Sequence, residues 1–173
     1  MPQNTLIGAA GEHLVLSNIL KRGIIANQTP KNTEGFDILT LNVDGTPSPP
    51  IQVKTTMNKN GWIMEEKHEI PIENLNFCFV YLENNHNSSE IFVIDSKKVA
   101  YIIKNHHKIW LKLPGRNGQP HNPTKMRKLF RNPFGRMRNN FEDYLTEEDL
   151  NFISEHSNGW IDQYKDTWHL INE

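Results

Sequence analysis

Four polar side chains in the first third of the chain have the types and spacing for metal-assisted hydrolysis of a phosphodiester. Mg²⁺ prefers oxygen ligands and takes one or two carboxylates together with phosphate oxygens and water. Asp37 would be the central carboxylate, Glu12 would approach from a helix, and Gln52 would offer its amide oxygen, with the Val53 carbonyl as a further ligand. Lys54 would orient the attacking water or stabilise the charge that develops on phosphorus.

Glu12 lies on a predicted helix over Leu6–Arg22, and Gly23 would end this helix. At 100° per residue, Glu12 points along the apolar stripe that should face the core. A buried carboxylate is costly unless it is paired or binds a metal. The alternative is a glutamate at the edge of the stripe that reaches solvent or pairs with a base.

The other three lie on a predicted hairpin of strands Phe36–Val43 and Ile51–Thr56. Gln52 and Lys54 share one face because strand side chains alternate. A tight turn at residues 44–45 would place Asp37 opposite Gln52, whereas a symmetric seven-residue loop would place it opposite Met57 and scatter the polar groups. We expect the first arrangement, with a bulge caused by the prolines of the connection.

These motifs resemble the PD-(D/E)XK, or restriction-endonuclease-like, nucleases. The resemblance rests on Glu12, on Gly35-Phe36-Asp37 and on Gln52-Val53-Lys54-Thr55, and is closest to the branch with a helical Glu, which includes Holliday-junction-resolvase-like nucleases. Over residues 5–100 it implies an αβββαβ core with a mixed central sheet and a Mg²⁺-dependent nuclease, with Mn²⁺ as a substitute. Gln52 stands where the family usually has an acid, which leaves open a reduced or lost activity.

The charges are strongly segregated along the chain, although the net charge is -1. Residues 1–96 carry 11 acids and 6 bases, residues 97–140 carry 12 bases and no acid, and residues 141–173 carry 9 acids and 1 base. A basic stretch of this kind is typical of phosphate contacts with nucleic acid. The alternative is a solvated segment that pairs with the acidic C-terminal region. The predicted DNA-binding residues are Arg116, Lys125, Arg127, Lys128, Arg131, Arg136 and Arg138.

The remaining patterns predict a single α/β domain over residues 1–173, with additional C-terminal helices. We divide it into a nuclease-like core (1–113), a basic loop region (114–140) and an acidic helical extension (141–173). The predicted elements are strands Phe77–Leu82, Glu90–Ile94 and Ile109–Leu113, a helix over Lys97–Asn105 capped by Ser96, a helix opened by a capping box at Thr146, and a final helix carrying Trp160, Tyr164 and Trp168.

Composition excludes several classes of protein. The 173 residues include one cysteine, Cys78, so an internal disulfide and a cysteine-rich zinc module are ruled out. No apolar run reaches the 18 residues of a membrane span. Composition therefore predicts a cytoplasmic protein without a membrane partner, and the resemblance implies a DNA endonuclease without a nucleotide cofactor, and a homodimer where both strands are cut. The alternative is a catalytically weakened nuclease-fold module that binds DNA or a partner subunit.

Overall fold

The computed structural model describes most of the chain, namely residues 3–30, 33–42, 44–83, 88–115, 118–133 and 141–171. Its helices and strands are, in chain order, α1 (Gln3–Lys21), β1 (Ile25–Gln28), β2 (Ile38–Leu41), β3 (Pro47–Thr56), β4 (Gly61–Glu65), β5 (Asn76–Leu82), β6 (Ser89–Asp95), α2 (Ser96–Lys112), β7 (Met126–Phe130) and α3 (Glu147–Glu155). No helix in these ranges combines the length and apolarity needed to cross a membrane.

A mixed five-stranded sheet forms the centre of the fold, in the order β1-β2-β3-β5-β6. Only β3 and β5 run parallel among its neighbouring strands, and the other pairs are antiparallel. The α/β class and the mixed sheet are thus confirmed. The helix that the αβββαβ pattern expects between the third strand and its parallel neighbour is not found in residues 57–75, which hold β4 and a 3-10 turn instead.

Each face of the sheet carries its own core, because β5 and β6 are buried on both sides. Cys78 and Val80 of β5 pack with Val15 and Ile19 of α1 on one face. The aromatic residues of β5 and β6 pack on the other face against α2, α3 and β4; they are Phe77, Phe79, Tyr81 and Phe92. A strand buried on both faces is a continuous apolar run, as residues 77–82 are.

Helix α2 is longer than predicted. Its N-cap is Asp95, whose Oδ1 accepts the Lys98 N–H at 2.9 Å, rather than Ser96. The strand predicted over Ile109–Leu113 is wrong, because Ile109 lies in the core on the last turns of α2. The capping box at Thr146 is confirmed: its hydroxyl accepts the Asp149 N–H, and the Asp149 carboxylate accepts the Thr146 N–H.

The single final helix predicted from the aromatic row is wrong. Trp160 packs in the core with α2 and α3, whereas Trp168 packs against α1 on the opposite face of the sheet. Between them the backbone follows the edge of β6, where the Asp166 N–H donates to the Ile91 carbonyl at 3.0 Å. Two short 3-10 turns, Asp162–Tyr164 and Trp168–Ile171, replace the helix.

Part of the predicted basic loop is also a strand. β7 pairs antiparallel with β4, from Gly61 opposite Phe130 to Glu65 opposite Met126. Arg127 is only 6% exposed and is neutralised by Glu66 and Glu69. Because the inward-facing residue is basic, the segment lacks the alternation of apolar and polar residues by which a strand is predicted.

The close approach of α1 to the sheet depends on Gly11. A Cβ on Gly11 would lie 1.9 Å from Thr55 Oγ1 and 2.8 Å from Thr55 Cβ, whereas one on Gly8 would meet nothing within 4 Å. We expect Gly11→Ala to lower the free energy of unfolding by about 1–3 kcal/mol through overpacking.

Gly8→Ala is the matched control, because it should raise stability by up to about 1 kcal/mol through helix propensity. Urea unfolding followed by circular dichroism measures both variants. Equal effects of the two substitutions would show that α1 does not need the glycine to pack on β3.

Candidate functional site

The hairpin register places Asp37 beside β3 as expected. Ile38 lies opposite Ile51, the register of an Asp37–Gln52 alignment, and a shift follows between Ile38 and Thr40. The bulged arrangement is therefore confirmed. The Asp37 N–H donates to the Ile51 carbonyl at 2.8 Å, and Asp37 Oδ2 accepts the Val53 N–H at 2.6 Å.

Gln52 and Lys54 lie on the face of the sheet opposite α1. They are paired in register with Phe77 and Phe79 of β5, whose side chains belong to the core on that face. Gln52 Oε1 is buried and has no hydrogen-bond partner among the described residues. Such an oxygen keeps its full desolvation penalty until a donor or a cation approaches it.

Lys54 is a partly buried cation between carboxylates. Burial lowers its pKa, while the charges of Asp37 and Glu65 oppose this shift. A cavity of about 590 Å³ is lined by Lys54 together with Ile7 of α1 and Trp62 of β4. Lys54 therefore lies beside a space that a substrate could enter.

Glu12 reaches the same end of the sheet from the α1 side. Its neighbour Gly11 rests against Thr55 of β3, and Gln28 Nε2 donates to Glu12 Oε2 at 3.2 Å. The next residue, Thr29, donates its N–H to the Asp37 carbonyl at 2.9 Å. The carboxylate predicted on the apolar stripe is thus half-buried and held by an amide at the end of β1.

The remaining predicted ligand is the Val53 carbonyl. The N–H and C=O of one strand residue point toward the same neighbour, so this carbonyl faces the Asp37 side of β3. In the described part of the chain, no group of three or more His, Cys, Asp or Glu side chains could hold a metal. The predicted set contains only two such side chains, Glu12 and Asp37, and completes its ligands with amide and carbonyl oxygens.

The predicted DNA-binding residues have different environments. Lys125 is exposed, and Lys128 Nζ lies 4.7 Å from the centroid of the Phe130 ring. Arg131 pairs with Glu90 at 2.6 Å. Arg127, by contrast, is a buried structural residue that ties β7 to the turn after β4 through Glu66 and Glu69. Arg116, Arg136 and Arg138 lie outside the described residues.

Sequence reasoning missed three residues around the site. Gly11 could have been noticed as a small residue on the apolar stripe beside Glu12, whereas Gln28 carries no signal in a short polar strand end. His68 is the third, with 5% of its surface exposed and a buried Nε2 that has no partner among the described residues. Burial and the nearby charge of Lys54 lower its pKa.

Comparisons with known proteins leave the site to be interpreted from its own geometry. No protein-family model, no curated protein and no solved structure matches this chain.

Proposed function

We propose that the protein is a metal-dependent DNA endonuclease that hydrolyses phosphodiester bonds. The observation that carries the proposal is the set of side chains at the start of β2 and on β3. The Asp37 carboxylate accepts the Val53 amide, and Lys54 lies on one face of β3 with the Gln52 oxygen, which has no partner among the described residues. Oxygen ligands from one acid and one amide, next to an amine, suit a hard cation and an anionic substrate.

Gln52 Oε1, which is buried without a partner in the described part of the chain, fits a cation ligand, since a cation would satisfy it without a proton donor. Asp37, Glu12 and Gln52 would hold Mg²⁺ or Mn²⁺, with the Val53 carbonyl as a further ligand. When bound, the metal lowers the pKa of a coordinated water and offsets charge on the phosphate. The hydrogen bond from Val53 fixes the orientation of the Asp37 carboxylate, and the hydrogen bond from Gln28 fixes that of Glu12.

Lys54 would act on the substrate rather than on the metal. Its amine donates hydrogen bonds to a phosphate oxygen or to the attacking water, and the cavity beside it gives access. Because burial lowers its pKa, the amine exchanges a proton at a pH closer to neutrality than an exposed lysine does. Exposed bases such as Lys125 would add contacts to phosphates that weaken with salt.

The proposal predicts loss of cleavage in variants of Asp37 and Lys54. Asp37→Asn removes the negative ligand but keeps an acceptor for Val53, and Lys54→Met keeps the aliphatic stem. Each should lower the rate of plasmid or branched-DNA cleavage with Mg²⁺ or Mn²⁺ by at least about 100-fold. Asp44→Asn and Lys59→Met, at exposed positions, should cleave like the parent protein. Equal cleavage by all variants would contradict these roles.

Gln52 offers a test of metal binding that does not need activity. Gln52→Leu removes a buried unsatisfied oxygen, so it should raise the metal-free unfolding free energy by about 1 kcal/mol. It should also reduce the stabilisation by Mn²⁺, which for the parent protein is about 2.7 kcal/mol at a hundredfold excess over Kd. Urea unfolding with and without Mn²⁺ measures both effects.

Gln119→Leu, at an exposed position, is the matched control and should leave the Mn²⁺ effect unchanged. Full Mn²⁺ stabilisation of Gln52→Leu would remove Gln52 from the ligand set.

The neutral amide at position 52 favours a second candidate, a weakened nuclease-fold module that binds DNA or a partner subunit. An amide is a weaker ligand for a divalent cation than a carboxylate. Gln52→Glu separates the two candidates in the same cleavage assay. A gain of cleavage from an inactive parent protein would identify a degenerate site, whereas cleavage by the parent protein itself identifies the enzyme.

A further inference from the structure

A second basic surface lies along the outer face of α2, a helix that carries none of the residues assigned above to DNA. A groove of about 860 Å³ runs there, with Lys97, Tyr101, Lys104 and Lys108 along its α2 wall. Glu69, from the 3-10 turn after β4, lines the facing wall. Within α2 there is no acidic residue, so the helix presents only positive charge to this groove.

Within the part of the chain that the structure describes, the three groove lysines are available to bind an external anion. Lys97, Lys104 and Lys108 are exposed, and no carboxylate of the described chain lies within 4.0 Å of their amines, whereas Lys112 of the same helix pairs with Asp149. Glu69, the acid on the facing wall, is paired with Arg127. The acid in the groove is therefore neutralised within the protein, and the uncompensated charge is positive.

The spacing along α2 suits one strand of nucleic acid. Eleven residues separate Lys97 from Lys108, or about 16 Å at 1.5 Å per residue. This equals the axial rise of about five phosphates along one strand of a DNA duplex, so the row of lysines matches a phosphate backbone in length. Tyr101 lies between the lysines with 49% of its surface exposed. An exposed aromatic ring between cations is the arrangement on which unpaired bases stack.

The groove adjoins a smaller cavity that is lined by rings. This cavity of about 170 Å³ shares His107 and Arg127 with the groove and is bounded by Trp110 and Phe130. His107 Nε2 is buried there without a hydrogen-bond partner in the described part of the chain. An unsatisfied ring nitrogen next to aromatic walls suits a planar group that can hydrogen-bond, as a nucleobase can.

We propose that the α2 groove binds single-stranded nucleic acid, with phosphates on Lys97, Lys104 and Lys108 and a base stacked on Tyr101. An acidic peptide would satisfy the lysines but would leave the tyrosine and the ring-lined cavity unused. The groove is separate from the Asp37–Lys54 site. Its function is tested by binding without divalent metal, so the outcome does not depend on the proposed cleavage.

Fluorescence anisotropy in EDTA measures the binding of the full chain to labelled oligothymidylate of about 16 nucleotides. A duplex of the same length and an abasic strand with the same backbone are the comparison probes. We expect the oligothymidylate to bind most tightly and the abasic strand to bind about tenfold more weakly, because the abasic strand has no base to stack. A duplex that binds as tightly as the single strand would overturn the proposal.

Variants then locate the binding. Lys104→Ala and Lys108→Ala should each reduce the slope of log affinity against log salt by about 0.7. Lys21→Ala, an equally exposed lysine on α1, should leave the slope unchanged. Tyr101→Ala should weaken oligothymidylate binding to the abasic level, and Tyr101→Phe should keep it.

Three results would contradict the assignment. They are unchanged salt slopes in Lys104→Ala and Lys108→Ala, equal binding by Tyr101→Ala and Tyr101→Phe, and competition by polyglutamate as effective as that by unlabelled oligothymidylate. Circular dichroism of each variant establishes that it is folded.

Discussion

The hydrogen bond from the Val53 amide to the Asp37 carboxylate determines the geometry of the candidate site. The β2–β3 ladder ends at the Ile38–Ile51 pair. The Val53 N–H, which a further backbone pair would otherwise satisfy, donates to the Asp37 carboxylate. An unpaired buried amide would cost about 1–3 kcal/mol, so this carboxylate serves the fold as well as the chemistry. Because its orientation is fixed, the position of Asp37 relative to Gln52 follows from the strand register.

The same end of the sheet is then completed from two sides. On one face, Gly11 lets α1 touch Thr55, and this contact brings Glu12 to the end of β1, where Gln28 holds it. On the other face, the crossover from β3 to β5 runs through β4 and a 3-10 turn; Trp62 of β4 lines the cavity beside Lys54, and the charge of Glu65 acts on its amine. Burial lowers the pKa of Lys54 and the charge of Glu65 opposes this shift, so the crossover contributes to the chemistry of the lysine although it replaces the expected helix.

The sequence was sufficient for elements whose local signals agree with their tertiary environment. The first helix, the hairpin parity and the capping box at Thr146 belong to this group, since end residues, alternation and cap chemistry act over a few positions. The sequence was insufficient where partners far along the chain determine the environment of a residue. Arg127 reads as a surface base until Glu66 and Glu69 neutralise it. The aromatic row resembles a helix face until the edge of β6 takes its backbone hydrogen bonds. The burial of the Gln52 oxygen away from any donor of the described residues is likewise a property of packing, not of residue type.

The segregated charges of the chain have several physical roles that the net charge alone does not indicate. Three bases of the acid-free segment, residues 97–140, are paired with carboxylates of the protein itself. Arg127 is buried beside Glu69, Arg131 pairs with Glu90, and Lys112 pairs with Asp149 of the acidic region. Pairing within the protein therefore neutralises some of the positive charge, in line with the alternative that the basic segment pairs with acidic residues and not with nucleic acid. It leaves the outer lysines of α2 without carboxylate partners in the described chain. Because those lysines lie on a rigid helix, their charges are held in a row and are not averaged over a loop. Among the described residues, the outer lysines of α2 thus offer an external polyanion positive charge in addition to the exposed Lys125 of the segment where the sequence pattern first located it.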